Sequence, residues 1–581
     1  MAREYGRPEN FGMFRSLRAE SARHSSFALP MLPFLLCALF GCLAVSAFGQ
    51  NGIAVEASGV LAAVLALSAL TLKAFVFWRR KAPLRLPEVL LCGAAFFGFF
   101  SYASYSATPN PYPDFTARAV DVLLRVDEVS RGANGSSYGV GKILSAPAGF
   151  PKLEGLSVWF AAGGGRMEEP APELTRSQTV RFRGLLQPVR VAAKRSKWVS
   201  ERENKSREFE RYLANRIIYY RLSAPSDSVE IVARARGFYR FFADLHSRME
   251  GWLDAFPFAF QENSQSAATY CAMLLGDKSR LTKLQKESFA KTGTMHVFAI
   301  SGLHVGFAAA LLYFVCRALW LPRIMQPLVA LPILFAYVEA CGGRPSAMRA
   351  FMMVAAFWLA LSLGRGMKAW GALLLSAAVA LAASPLSVFD AGFSLSYGVV
   401  ASIFLYGLPL ASFIKERFDR RYPVPDDWSN PLWKCYRTFV VWLCGAFSIS
   451  LGAFFAGAPL SAYYFSYVSF GALLYSPVFV ALAGGVVFCG FAAFLLPSAL
   501  GMWANCAAWF LIWAMSNSAE AGNGLADLSV SFPLDNGLVC AASLFAFFGL
   551  SGALEFSRPA CRYVLPPLAS ASILLAWRAI G

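Results

Sequence analysis

Apolar residues fill long unbroken runs over most of this chain, and short basic stretches separate the runs. Crossing a hydrocarbon core takes about 20 helical residues. Runs at 29–49, 54–78 and 87–105 have that character in the N-terminal part. Beyond residue 294 helices are predicted at 295–320, 325–341, 347–363, 369–383, 390–411, 436–457, 459–497 (as two pieces), 501–516, 537–556 and 563–579. Strands of a membrane barrel would alternate apolar and polar positions, and these runs do not, so helices are the spanning elements.

One long stretch, 110–235, breaks this pattern. Its apolar positions recur at period two in "ARAVDVLLRVDEV", "SYGVGKIL", "LSVWFAAG", "TVRFRGLLQPV" and "SVEIVARA", with Gly, Pro, Asn and Ser between. Several short strands in a small domain predict a barrel such as an OB-fold. After it, Phe238, Phe241, Phe242, Leu245, Met249, Trp252 and Leu253 recur at helical spacing, which predicts an amphipathic helix at a membrane surface. His246 falls on its polar side and is expected to be solvated. The apolar piece 266–276 is too short to span. "RLTKLQKESFAKTG" predicts a second amphipathic helix closed by Gly293. The predicted class is a polytopic α-helical membrane protein with an inserted small OB-like β-barrel. Its parts are an arm with three spans (1–109), the barrel (110–235), interfacial helices (236–294) and a polytopic region (295–581).

Composition agrees and adds charge. Of 581 residues, 57% are hydrophobic and 15% charged, where a soluble domain has about a quarter charged. Net charge is +18. Basic loops account for part of it or for all of it, and a surplus this large also suggests a polyanionic partner, nucleic acid or anionic lipid. The barrel stretch 113–235 holds 20 Lys+Arg against 14 Asp+Glu, a net of +6. Lys194, Arg195, Lys197 and Trp198 are its candidate strand-binding cluster, or else a solvated loop. Twelve cysteines form no CxxC pair and none lies between Cys92 and Cys271, so neither a metal site nor a disulfide in the barrel is expected. No cofactor is expected either. Arginines before the first run and after the second put those ends in the cytosol, and three crossings put the barrel outside it. Basic clusters at Arg317/Arg323, Arg365/Lys368 and Lys415–Arg421 follow alternate later spans and agree.

Three polar interruptions carry candidate chemistry. His296, Ser301 and His304 fall in one apolar run, with Gly302 and Gly306 as a GxxxG face for a neighbouring helix. Read as continuous helix, His304 lies about 12 Å deeper than His296. Arg344 and Arg349 flank a helix restart after Gly342, Gly343 and Pro345, a natural anion seat, although snorkelling to the interface also explains Arg344. Asp390, Ser394 and Ser396 interrupt a third run, and Asp390 is placed to pair with one of those arginines. Broken helices around a polar centre are how transport proteins build pathways.

"LLGDKSRL", "TGTMHVFAISGLHVG", "GGRPSAMRA" and "PLSVFDAGFSLSYG", in this order, resemble the core of the ComEC family of competence proteins over roughly 265–480. "FERYLANRIIYYRLSA" resembles the end of that family's OB-like domain. The resemblance implies an inner-membrane channel through which transforming DNA enters as a single strand. It also implies His296, Ser301, His304, Arg344, Arg349, Asp390, Phe393 and Ser396 as pathway residues, and no catalytic ones. Expected partners are single-stranded DNA, the lipid bilayer, a periplasmic DNA receptor, and a cytosolic motor or strand-binding protein. The chain departs from the family in "LLYSPVFV", where many members have Asn before Pro, and in "ENKSREFERYL", where NPG is usual. Many members also carry a metallo-β-lactamase-like domain. The four histidines here offer no HxHxD cluster, so any nuclease step is expected of another protein.

Two other readings stand beside the channel. One is a transporter for lipid or another small anion. The other is an intramembrane serine protease, since "AISGLHVG" resembles the rhomboid GxSGxxxG. His304, only three residues on and in the same helix, and the lack of later histidines count against that protease.

Overall fold

The computed structural model describes parts of 37–42, residues 86–106, and 110–580. Isolated positions and the stretches 164–171, 190–205, 255–263, 365–368, 423–430, 526–528 and 555–558 lie outside the described residues. Most of the first two predicted spans, and all of Lys194, Arg195, Lys197 and Trp198, also lie outside them. The chain divides into two compact units, Met1–Pro109 with Ala356–Val388, and Asn110–Ala355 with Phe389–Gly581.

In the first unit, α1 (Leu86–Ser106) is the third predicted span. Gly41 lies against its backbone at Phe96 and Phe100, where any side chain would strike the Phe96 carbonyl. Tyr102 donates to the Ala382 carbonyl at 3.2 Å and so ties α1 to the later helix 369–383.

In the second unit, six strands are β1 (Arg118–Arg131), β2 (Ser137–Ser145), β3 (Ser157–Ala162), β4 (Thr179–Pro188), β5 (Tyr220–Ala224) and β6 (Val229–Ala233). Their order is β1-β2-β3-β5-β4, and β4 pairs back on β1, so five strands close a barrel with β6 added to β4. β3 and β5 are parallel and the other neighbours antiparallel. This closed five-strand barrel bears out the OB-like expectation. Period two does the work: Val120, Val122, Leu124 and Val126 of β1 all point inward onto Phe160, Phe182, Tyr220 and Leu222. The outward positions carry charge, as where Arg181 and Arg183 of β4 flank Asp121 at 3.5 and 3.4 Å. β5 was not among the predicted strands, because "YRLSA" is five residues long and follows a helical pattern.

The two segments predicted as amphipathic helices are helical, α2 at Phe238–Asp254 and α4 at Lys283–Lys291, and the short apolar piece between them forms α3, Ser264–Leu275. The remaining helices are α5 (Gly302–Ala318), α6 (Met325–Ala340), α7 (Pro345–Ser362), α8 (Ala369–Ala383, in the first unit), α9 (Ala391–Ser402), α10 (Leu408–Arg421), α11 (Pro431–Phe465), α12 (Gly471–Leu495), α13 (Ser498–Leu525), α14 (Gly537–Ala553) and α15 (Pro559–Ile580). A π-turn, Ile403–Gly407, joins α9 to α10 without a break. The expected pieces of 459–497 divide otherwise. Residues 459–465 complete α11, and Ser466, at φ +60°, ends it before α12 begins.

Four of the described helices are long and apolar enough to cross a membrane: Pro345–Ser362, Ala391–Arg421, Pro431–Phe465 and Gly471–Phe494. Many large apolar side chains on the helices are exposed, among them Leu432, Phe545, Leu538 and Trp503. Such a surface is costly in water and ordinary against lipid tails. The chain is a polytopic helical membrane protein with a small barrel inserted.

Candidate functional site

The run 295–320 is not one helix. Met295–Phe298 is a single 3₁₀ turn, Ser301 is extended (φ −108°, ψ 174°), and α5 starts at Gly302. Ser301 is therefore the N-cap, not a mid-helix residue. Its Oγ accepts from the Leu303 N–H at 3.3 Å, and its own N–H donates to His304 Nδ1 at 3.3 Å, a capping box with His in the usual Glu/Gln place. This geometry brings Ser301 Oγ within 3.1 Å of His304 Nδ1, which corrects the expectation that a histidine three residues on cannot serve the serine. With Nδ1 accepting, the ring proton of a neutral His304 sits on Nε2, which is buried and has no partner among the described residues. His296 bonds the Gly293 carbonyl through Nδ1 at 3.2 Å. Its side chain is exposed. The GxxxG expectation fails. A Cβ on Gly302 would meet only Ala350, at 3.7 Å, and one on Gly306 would meet nothing among the described residues.

The "GGRPSAMRA" motif turns the chain from α6 into α7. Gly342 and Gly343 both take positive φ (+88° and +57°), a region most L-residues avoid. A Cβ on Gly343 would collide with Arg176 of the barrel and lie 3.1 Å from the Glu339 carboxylate. Arg176 and Glu339 pair there at 3.0 Å, so the barrel is fastened to the last turn of α6 beside Arg344. His246 of α2 reaches the same place and donates through Nδ1 to the Ala340 carbonyl at 2.9 Å. It is half-buried at a helix end, not solvated as expected, because α2 packs on α6.

Ser346, in the first turn of α7, donates to the Ile300 carbonyl at 2.9 Å and so joins this turn to the break before α5. Gly276, at φ +75° after α3, closes the junction: a Cβ there would be 2.9 Å from Ile300 and 3.7 Å from the Arg344 guanidinium. "LLGDKSRL", "AISGLHV" and "GGRPSAMRA" thus meet at one point. Lys278, in the loop after Gly276, lies within the fields of Arg344 and Lys286. Neither lysine was singled out from sequence, where nothing in the spacing links 278 to 344.

Arg349 is 5% exposed, which removes snorkelling as its explanation. Its Nη2 donates to the Gly392 carbonyl at 2.6 Å, its guanidinium lies 5.9 Å from the Tyr397 ring, and its Nε has no partner among the described residues. Asp390 does not pair with it directly. The carboxylate accepts the Gly392 N–H at 3.2 Å as N-cap of α9, and the two charges interact only at longer range. Asp390 also lies in the field of the barrel's Tyr212 and Arg216. Arg216 forks onto Glu128 at 3.0 and 2.7 Å. Burial works against its charge, but the Glu128 hydrogen bond and charge outweigh burial and hold it above the ordinary arginine value. Phe393 is buried and packs on Tyr397 at 4.6 Å, while Ser396 is half-buried. Among the described residues no His/Cys/Asp/Glu group could hold a metal.

Apolar helices interrupted at three polar turns, with an OB-like barrel fastened beside them, define a polytopic membrane protein with a polar centre. Within that class, the helical part of the chain carries a competence-protein domain and is similar to the ComEC family that its motifs resemble. Residues 273–556 match the family model described as "Competence protein". A stretch of 134 residues is 32% identical to ComE operon protein 3 of Bacillus subtilis (strain 168). That stretch is 23% of this chain and 17% of the relative, so the likeness spans a small part of the relative's length. No solved structure matches the chain.

Proposed function

We propose that this protein takes part in DNA uptake for competence as an inner-membrane channel that passes DNA as a single strand. The observation that supports it is the meeting of three separated motifs at a break before an apolar helix, with Lys278 in the fields of Arg344 and Lys286, while buried Arg349 joins α7 to the fourth motif at the Gly392 carbonyl. Phosphates carry a charge at every nucleotide, and cations offset it without reading sequence. In this reading the N-terminus is cytoplasmic and the barrel faces outward, where it receives the strand from a DNA receptor. A cytosolic motor or strand-binding protein then pulls, and His296, Ser301, His304, Asp390, Phe393 and Ser396 line or shape the path.

Arg344→Glu or Arg349→Glu is expected to abolish transformation while the protein stays in the membrane at normal level. Transformation frequency with membrane immunoblotting decides it, and unchanged transformation would sink the pathway. Loss of lipid or small-anion flux with transformation intact would favour the transporter.

The 3.1 Å contact between Ser301 and His304 is the observation that speaks for a protease. A serine nucleophile needs a base that a third group orients. His304 Nε2 has no such group among the described residues, and Ser301 Oγ is held by the Leu303 N–H. Capping accounts for both contacts.

A further inference from the structure

Of three cations from three separate elements, one lies in the fields of the other two, and none has a counter-ion among the described residues. Lys278 lies in the loop after α3, Lys286 on α4 and Arg344 in the turn before α7. Local bonds hold each of these elements in place. The Thr282–Gln285 capping box fixes the start of α4, and buried Gln285 also donates to Thr269 Oγ1 at 3.2 Å, which sets Lys286 one residue on. Gly276, pressed against Ile300 and Arg344, fixes the loop that carries Lys278. The carboxylates nearest in sequence are engaged. Asp277 accepts both the N–H and the hydroxyl of Ser279 at 2.8 Å, Glu287 pairs with Lys283 at 3.8 Å, and Glu339 pairs with Arg176. Among the described residues none of the three cations has an ion pair. All three are half-buried, so water screens their mutual repulsion only in part. The N-terminus of the 18-residue α7 adds its own positive end at Arg344, and His296 lies in the field of Lys278. Uncompensated cations held at fixed positions form a seat for a polyanion.

We propose that Lys278, Lys286 and Arg344 grip the phosphodiester backbone of a single strand at the break before α5. This deepens the conducting reading and rests on it: the channel reading requires a pathway, and this names the phosphate contacts at one point of it.

The test measures binding of a short fluorescent oligothymidylate to the full-length protein in zwitterionic nanodiscs as salt is raised from about 50 to 200 mM. Each phosphate contact to a single strand contributes about 0.7 to the log–log salt slope. Lys278→Gln and Lys286→Gln are each expected to lower the slope by about 0.7 and together by about 1.4. Lys283→Gln, on the same helix but paired with Glu287, should leave it unchanged. If wild type binds and the double variant keeps the full slope, or Lys283→Gln lowers it equally, the grip is overturned and the channel reading stands. If wild type binds no oligonucleotide, the DNA reading itself falls. Displacement of the strand by anionic lipid through the same two lysines would assign the seat to lipid headgroups and overturn the proposal.

Discussion

Lys278 has a charge that pH can switch. Burial, and then the positive charges of Arg344 and Lys286, bring its ammonium down to about 8 from 10.5. Lys286 and Arg344 oppose its charge, His296 faces it as a neutral ring at this pH, and Asp277 is occupied by Ser279. Oligothymidylate affinity is therefore expected to fall as pH rises through 8, a step absent in Lys278→Gln. Stability carries the opposite sign. Between pH 8 and 10.5 the unfolded chain keeps a proton that the folded chain has released, so stability rises with pH there. Ser301 supplies a second residue-scale test. As an N-cap, Ser301→Ala should cost about 1 kcal/mol in thermal unfolding, whereas Ser301→Asn, which caps without a hydroxyl, should keep both stability and transformation. Loss of transformation in Ser301→Asn at wild-type stability would revive the nucleophile.

The end of α6 shows how one element depends on another. Glu339 sits in the last turn, where the helix dipole disfavours a carboxylate, and its side chain is 8% exposed. Arg176 of the barrel meets that charge. Arg176→Glu is expected to cost about 1–3 kcal/mol by leaving Glu339 unpaired, and to lower transformation with it. Pairing it with Glu339→Arg should restore much of both, and Arg176→Lys should do so in part. Thermal unfolding in detergent alongside transformation checks this, and equal defects in the single and swapped variants would remove the link. Gly343→Ala should mimic the broken link, since its Cβ would displace Arg176 from a backbone already at positive φ.

At the scale of the whole molecule, loop charge predicts the orientation proposed above. Lys415, Arg417, Arg420 and Arg421 crowd the end of α10, while the barrel follows an odd number of predicted spans. A cysteine at Ser145 of the barrel is expected to react with an impermeant maleimide in intact spheroplasts, above the native thiols. One at Arg420 should react only after permeabilisation. The reverse pattern would invert the topology.

Helix type, the rough positions of most described helices and most barrel strands were legible because they depend on local periodicity, which the residues carry whatever they pack against. Val120, Val122, Leu124 and Val126 announce a strand, and "AWGALLLSAAVALAA" announces α8 to the residue. The motifs "AISGLHV", "GGRPSAMRA" and "DAGFSLSYG" were likewise visible as polar breaks in apolar runs. Tertiary structure alone decided what those breaks do. Ser301 became a cap because the chain turns before α5, and Arg349 met the Gly392 carbonyl in place of Asp390's carboxylate because that carboxylate was taken by its own helix end. Lys278 came into the fields of Arg344 and Lys286 because Gly276 lets its loop close on Arg344. Periodicity is a property of neighbours in sequence. A cation seat is a sum of charges over distance, and distance between remote residues exists only once the chain has folded.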